Sequence, residues 1–201
     1  MSTLEVNTIN PQSGNDITLG GSSKNVKFAS GTTVDFNTNT PTLTLGADMK
    51  NTPMVYAYMN ASQTVSDNTH TKIQYNTEGY DTDSAYDHSS NYRFTVPSGK
   101  GGKYFIHAAC YQVGNNNDEK MLEVSIYKNG SQVQRSQQYY NFSTSQAGQG
   151  VHTITRIMDL AASDYIEIYG RLNVNSGTPS FYGASADDQR YSTLHIAKMI
   201  G

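Results

Sequence analysis

The sequence predicts an all-β protein: an antiparallel jelly-roll or double-sheet sandwich preceded by an extended β-rich stalk. Three observations carry this. Over residues 52–201, apolar residues recur at a period of two, with almost no helical period. Long polar links separate these runs. Of 201 residues, 71 are Asn, Gln, Ser or Thr, while 36% are hydrophobic and 15% charged. The 15 Tyr and 6 Phe set the chain apart from a disordered one, which is rich in charge and poor in aromatics.

Composition breaks near residue 50. Residues 1–50 contain no Tyr and two Phe, Phe28 and Phe36. They consist of short β-prone pieces (Leu4 to Ile9, Ile17 to Gly21, Val26 to Ser30, Thr33 to Phe36, Thr42 to Asp48) between turn residues, and Ile17-Thr18-Leu19-Gly20 is echoed by Leu43-Thr44-Leu45-Gly46. So few large apolar groups cannot build a core within one chain. Identical copies sharing an axis could build one, and the recurring β-branched residues favour such an intertwined stalk over a loose tail. The expected division is a stalk over 1–51 and a head over 52–201.

Within the head, Tyr104 to Tyr111 is largely apolar on both faces, as in a strand covered on both sides. Met121 to Tyr127 alternates, with Leu122, Val124 and Ile126 on one face and Glu123 and Ser125 on the other. Asn129-Gly130 then marks a hairpin, because both positions tolerate positive φ. In Val151 to Leu160, Ile154, Met158 and Leu160 share a face with His152 and Arg156. Tyr165 to Leu172 places Ile166, Ile168 and Leu172 inward and Tyr165, Glu167 and Arg171 outward. The last run, Thr193 to Ile200, reads as a terminal strand locked centrally in a sheet.

Several function classes are excluded at this level. Lys and Arg total 14 against 17 Asp and Glu, a net charge of −3, which offers no basic face for nucleic acid. No apolar run is long enough for a membrane-spanning helix. The opening Met1 to Gly14 shows neither the basic nor the apolar region of a signal peptide, so none is expected. A single cysteine, Cys110, allows no intrachain disulfide and no cysteine-based zinc site. It reads as a small buried hydrophobe rather than a reactive thiol.

Catalytic patterns are scarce, and no enzymatic activity, cofactor or metal site is expected. There is no Gly-x-Ser-x-Gly elbow and no His-Glu-x-x-His. Ser98 to Lys103 reads as an inter-strand turn rather than a phosphate loop, since no Ser or Thr follows the lysine. The five histidines lack ligand spacing, and His107 and His195 read as packed or interface residues. Asp81, Asp83 and Asp87, like Asp187 and Asp188, read as solvated acidic loops, because the glycine and closing glutamate of a calcium loop are missing. Asn60, Asn129 and Asn141 fit the glycosylation pattern but are not read as sites without a secretory route.

The aromatic loops are the stronger signal. Tyr139-Tyr140-Asn141-Phe142 leads into a polar stretch, and Ser180-Phe181-Tyr182 sits in another long link. Loops on a rigid sandwich commonly carry binding function. Two readings stand for Tyr139, Tyr140, Phe142 and Tyr182. Their rings stack on a sugar whose hydroxyls nearby amides satisfy, or they pack against a neighbouring subunit and cap the sandwich.

Tyr86-Asp87, then Tyr92-Arg93-Phe94-Thr95-Val96-Pro97, then Gly102-Lys103-Tyr104-Phe105-Ile106 resembles the signature of the complement-component-one-q and tumour necrosis factor superfamily. Leu160 to Ile166 is similar to that family's Leu-x-x-Gly-Asp-x-Val turn and strand, with Ser163 in place of the glycine, and Ser180-Phe181-Tyr182-Gly183 resembles its late Phe-x-Gly motif. The opening Leu4 to Gly21 resembles recurrent segments of tail-fibre proteins from marine and cyanobacterial phages.

Together the resemblances imply a homotrimeric jelly-roll head on a trimeric stalk, assembled in the host cytoplasm and carried on a virion. The first and last strands would then supply axis contacts, with Tyr56, Tyr58 and His195 as candidates. The implied function is a tail fibre recognising host-surface glycan or protein through its head loops. The alternative is a trimeric capsid decoration or head-fibre protein, clamped to other virion proteins by residues 1–50. An enzyme is the third and weakest reading.

Overall fold

The computed structural model describes residues 51–114, 119–140 and 149–199. Residues 1–50, which make up all but the last residue of the proposed stalk, and Phe142 lie outside them. The described residues form an antiparallel two-sheet sandwich, with one short 3-10 turn at Asp187–Gln189.

Sheet I contains β1 (Met54–Tyr58), β4 (Thr77–Asp81), β7 (Gly102–Val113), β10 (Gln149–Leu160) and β13 (Thr193–Lys198), with the short β2 (Gln63–Thr64) and β12 (Ser180–Tyr182). Its order is β4-β1-β13-β7, with β10 on the far side of β7. Strand β12 continues the β13 edge of β7 and carries β2. Sheet II contains β5 (Tyr86–Asp87), β6 (Arg93–Thr95), β8 (Glu119–Lys128), β9 (Ser131–Tyr139) and β11 (Tyr165–Val174), in the order β5-β6-β11-β8-β9, with β3 (Thr71–Lys72) beside β11. This is a jelly roll. As the sequence anticipates, the final strand is central: β13 lies between β1 and β7.

The inward faces follow the period of two. In β10, Ile154, Met158 and Leu160 are buried while Val151, Thr153, Thr155, Ile157 and Asp159 are exposed. In β7, Tyr104, Ile106, Ala108 and Cys110 point into the core and meet Val124, Ile126, Ile166 and Ile168 of sheet II. Burial pushes the Cys110 thiol well above its usual range, in keeping with an inert core residue. Phe181 packs its ring against the backbone of Gly170, where an added Cβ would lie 2.5 Å from Phe181 Cζ. The segment carrying β2 and β3 crosses from one sheet to the other and closes that side of the sandwich.

The turns agree with their residues. Lys128 pairs with Ser131 across Asn129 (φ 51°) and Gly130 (φ 77°), the doubly positive geometry of a type I′ hairpin. Ser163 adopts φ 69°, the left-handed conformation that a glycine would take without strain. That turn is held by the Ala161 N–H, which donates to Asp164 Oδ2 at 2.8 Å.

The acidic stretch 81–87 differs from the solvated loop expected. Asp81 accepts from the Asp83 and Tyr86 N–H groups, Asp83 pairs with Lys100 at 3.2 Å, and Asp87 accepts from the N–H groups of Ser89, Ser90 and Asn91. These bonds, led by the Ser90 N–H, hold the Asp87 carboxyl far below the usual range. The carboxylates build turns here, because short Asx-type bonds satisfy backbone donors that no strand reaches. Among the described residues, no cluster of three or more His, Cys, Asp or Glu could hold a metal ion.

Candidate functional site

Strand register places Tyr80, Tyr56, His195, His107 and Thr155 in one continuous row across five strands of sheet I. Each is directly opposite the next, and all lie on the outer face. Tyr56 stacks on His195 with ring centroids 4.8 Å apart and an interplanar angle of 17°, and His195 lies 6.1 Å from His107. His107 Nδ1 is 2.8 Å from Thr155 Oγ1. Burial, then the neighbouring His107, lowers the His195 pKa from its ordinary value. Gly79 makes room for the row: a Cβ there would lie 2.2 Å from Tyr56 Cδ1. The register shift of β1 on β4 falls at the same place.

Three further rows flank it. Met54, Ala197, Phe105 and Ile157 lie on one side, and Tyr58, Thr193, Ala109 and Thr153 on the other. Beyond these come Tyr182, Tyr111 and Val151. None of these positions carries a charged side chain. Ile157 is 55% exposed and Tyr80 46%. Charge returns only at the margin: Lys103 pairs with Asp159 at 3.8 Å, and the Arg190 guanidinium lies 3.9 Å from the centre of the Tyr58 ring. Tyr111, Tyr182 and Tyr191 meet edge to face, with centroids 5.3 Å apart for both Tyr111 pairs.

The outer face of sheet II is built differently. Glu123 is fully buried there by its neighbours. Its carboxylate accepts from Gln137 Nε2 at 2.5 Å, Ser125 Oγ at 2.7 Å and Gln132 Nε2 at 3.3 Å, lies 2.8 Å from His70 Nε2, and pairs with Arg171 at 3.1 Å. Burial alone would raise its pKa; the Ser125, His70 and Arg171 contacts outweigh that and lower it. Lys72 pairs with Glu167 at 2.5 Å and with the Tyr169 ring. Glu167 and Ser125, expected on a solvated face, are therefore covered: Lys72 from β3 reaches Glu167, and Glu123 and Gln132 bond Ser125.

Of the residues singled out from sequence, Tyr56, Tyr58 and His195 fall together on the outer face of sheet I. Tyr58 is the most covered of the three, with Arg190 over its ring. Tyr182 belongs to the same face. Tyr139 stands 71% exposed at the end of β9, on sheet II. Tyr140 turns inward against the small cluster of Leu122, Leu172 and Val174. Tyr139, Tyr140 and Tyr182 therefore do not form one site, and Phe142 lies outside the described residues. The sequence reading had His107 as a packed or interface residue but missed Tyr80, Phe105, Ile157, Tyr111 and Tyr191. A signal was available in β7 and β10, whose outward positions are uncharged almost throughout.

No family model matches the sequence, and no curated protein matches it. Solved structures do. Eiger TNF from S. frugiperda superposes with a TM-score of 0.51 at 10% identity, over 75% of this chain and 94% of that one. The globular domain of the zebrafish complement 1qA protein gives a TM-score of 0.46 at 11% identity, over 72% and 93%. The TNF match supports the jelly-roll assignment made from sheet order.

Proposed function

We propose that this chain is a non-enzymatic, homotrimeric virion fibre protein whose jelly-roll head self-associates through the outer face of sheet I and meets the host surface through its loops. The observation that carries the trimer is the uncharged aromatic row Tyr80–Tyr56–His195–His107–Thr155 with its flanking rows. A cyclic assembly brings each residue near its own copies around the axis. Charged positions would face like charge there, whereas Tyr, Phe, Ile, Ala and neutral His do not. Burying this face adds apolar contact that a 201-residue chain with 36% hydrophobic residues otherwise lacks.

The virion role rests on the opening Leu4 to Gly21, which resembles fibre segments and supports reading residues 1–51 as stalk and attachment segment. Residues 52–201 are the head. The exposed Tyr139 is the best-placed ring for a glycan or protein ligand. Several weak sites on one rigid head would gain strength through avidity.

The test has two parts. Sedimentation of the full chain should give three times 22.1 kDa, and a monomer overturns the assembly. Purified protein should compete with virions for host cells. A trimer that leaves adsorption unchanged points instead to capsid decoration.

A further inference from the structure

The centre of the proposed interface holds two imidazoles per subunit and no counter-charge. His195 and His107 face each other across β13 and β7, 6.1 Å between ring centroids. On the same face, β1 offers His195 Tyr56 with Met54 and Tyr58 on either side, and β4 adds Tyr80. Strand β7 offers Phe105 and Ala109 beside His107, β13 offers Thr193 and Ala197 beside His195, and β10 offers Thr153, Thr155 and Ile157. The surrounding charges are engaged elsewhere. Glu78 of β4 is bound by His88 at 2.7 Å, and Asp159 pairs with Lys103 at the rim. Arg156 of β10 turns away to donate to Val133 O, and Arg190 covers Tyr58.

Resting on the trimeric reading above, we propose that the His107–His195 pair makes assembly of the head pH-sensitive: the subunits hold together while these imidazoles are neutral and separate as they take up protons. Protonation would place positive charge on central rows that hold no carboxylate, since Asp159 at the margin pairs with Lys103 and Asp187 with Arg190, and would do so three-fold over around the axis. The sign follows from burial. His195 is already half-buried in the subunit, and covering the row with a second apolar surface disfavours positive charge on it. Assembly therefore releases protons. It is at full strength above the imidazole pKa of the free subunit and is lost as pH falls through it. Each proton taken up on separation weakens assembly by about tenfold per pH unit in that window. With two imidazoles in each of three subunits, a loss of about a thousandfold or more is expected between about pH 7.5 and 5.

The full chain is used, so the readout must report the head even if the stalk holds the copies together. Sedimentation at about pH 7.5 first establishes the trimer. Hydroxyl-radical footprinting of Tyr56, Tyr80 and Phe105 then follows the sheet I face as pH is lowered, with far-UV circular dichroism confirming that the sandwich stays folded. The expected result is protection at neutral pH, loss of protection below about pH 6, and retained protection in the double variant His107→Gln/His195→Gln. Protection that persists at low pH in the wild type overturns the switch and leaves the trimer standing. Loss of protection in the double variant overturns it too, since other groups would then be titrating. A monomer at neutral pH overturns the trimer, and the switch with it.

Discussion

The two outer faces of this sandwich use similar strands to opposite ends. On sheet II, Glu123 collects the side chains of Gln137, Ser125, His70, Arg171 and Gln132, and Lys72 pairs with Glu167. That face satisfies its own charges and is partly covered by the His70 and Lys72 side chains. On sheet I, the rows through Tyr56, His195 and His107 hold rings and methyl groups and no ion pair. A face that neutralises itself has little to gain from a partner. A face of exposed rings with no charge keeps its apolar area in water until something covers it. On the proposed assembly, polar character is therefore a poor guide to the binding face: the side with more hydrogen-bonding groups is the finished one.

The sharpest break of that contrast is a charge set into sheet I. Ile157→Asp puts a carboxylate on the exposed row beside Phe105. The monomer should keep its fold, because the position is 55% exposed. Assembly should weaken by about a thousandfold or more, as three carboxylates would be desolvated together. Arg135→Glu, on the exposed β9 of sheet II, should leave sedimentation unchanged. If both variants dissociate, the contrast between faces is lost.

The second break acts on sheet II and should invert the pattern. Glu123→Ala strands His70, Arg171 and Gln137 without their acceptor. Removing one partner of a buried charged network costs about 3–5 kcal/mol. Chemical denaturation should register that loss in each subunit, while the surviving folded protein still assembles. A loss under about 1 kcal/mol would mean that the network is surface decoration.

Much of this architecture was legible in the sequence, for identifiable reasons. The alternation in Met121–Tyr127 and Tyr165–Leu172, the Asn129-Gly130 turn and the central last strand are local patterns or follow from them, and local patterns are written in adjacent residues. Ser163 stands where the resemblance expects glycine, and it takes the left-handed conformation regardless. What could not be read was register. Tyr80, Tyr56, His195, His107 and Thr155 come from five distant stretches, and only strand pairing makes them neighbours. The burial of Glu123 was hidden for the same reason: its cover arrives from His70, 53 residues away. Asp81 and Asp87 looked like free acid because sequence does not show which backbone N–H groups a turn will aim at a carboxylate.

Smaller effects sharpen the comparison by testing the core that both faces share. Gly170 of sheet II gives its missing side chain's space to Phe181 of sheet I. Gly170→Ala must displace that ring, and overpacking of this kind costs about 1–3 kcal/mol. Because Phe181 neighbours Tyr182 on β12, the strain should also change the environment of the Tyr111–Tyr182–Tyr191 cluster. Near-ultraviolet circular dichroism of the tyrosines would report it, and an unchanged melting temperature would show that the two sheets are more loosely joined than this contact implies.

The smallest effect separates the faces by acidity. Asp164, at the turn that ends β10, accepts from Lys128, Asn129 Nδ2 and the Ala161 N–H, which lower its pKa to about 2. A carboxyl whose folded pKa is depressed adds stability above its ordinary value of about 3.9, and loses it as pH falls toward the folded value. The Asp164 contribution should therefore fade between about pH 4 and 2, as should part of that from Glu123, whose pKa is also lowered. The imidazoles of sheet I act at higher pH and on association rather than folding. Acid titration of the full chain should thus show two separate events, exposure of Tyr56 and Tyr80 first and unfolding later. Asp164→Asn should lower stability at neutral pH by about 1 kcal/mol or less, flatten the second event slightly and leave the first untouched. If the variant moves the first event instead, the proton uptake that opens sheet I comes from the hairpin turn and not from its histidines.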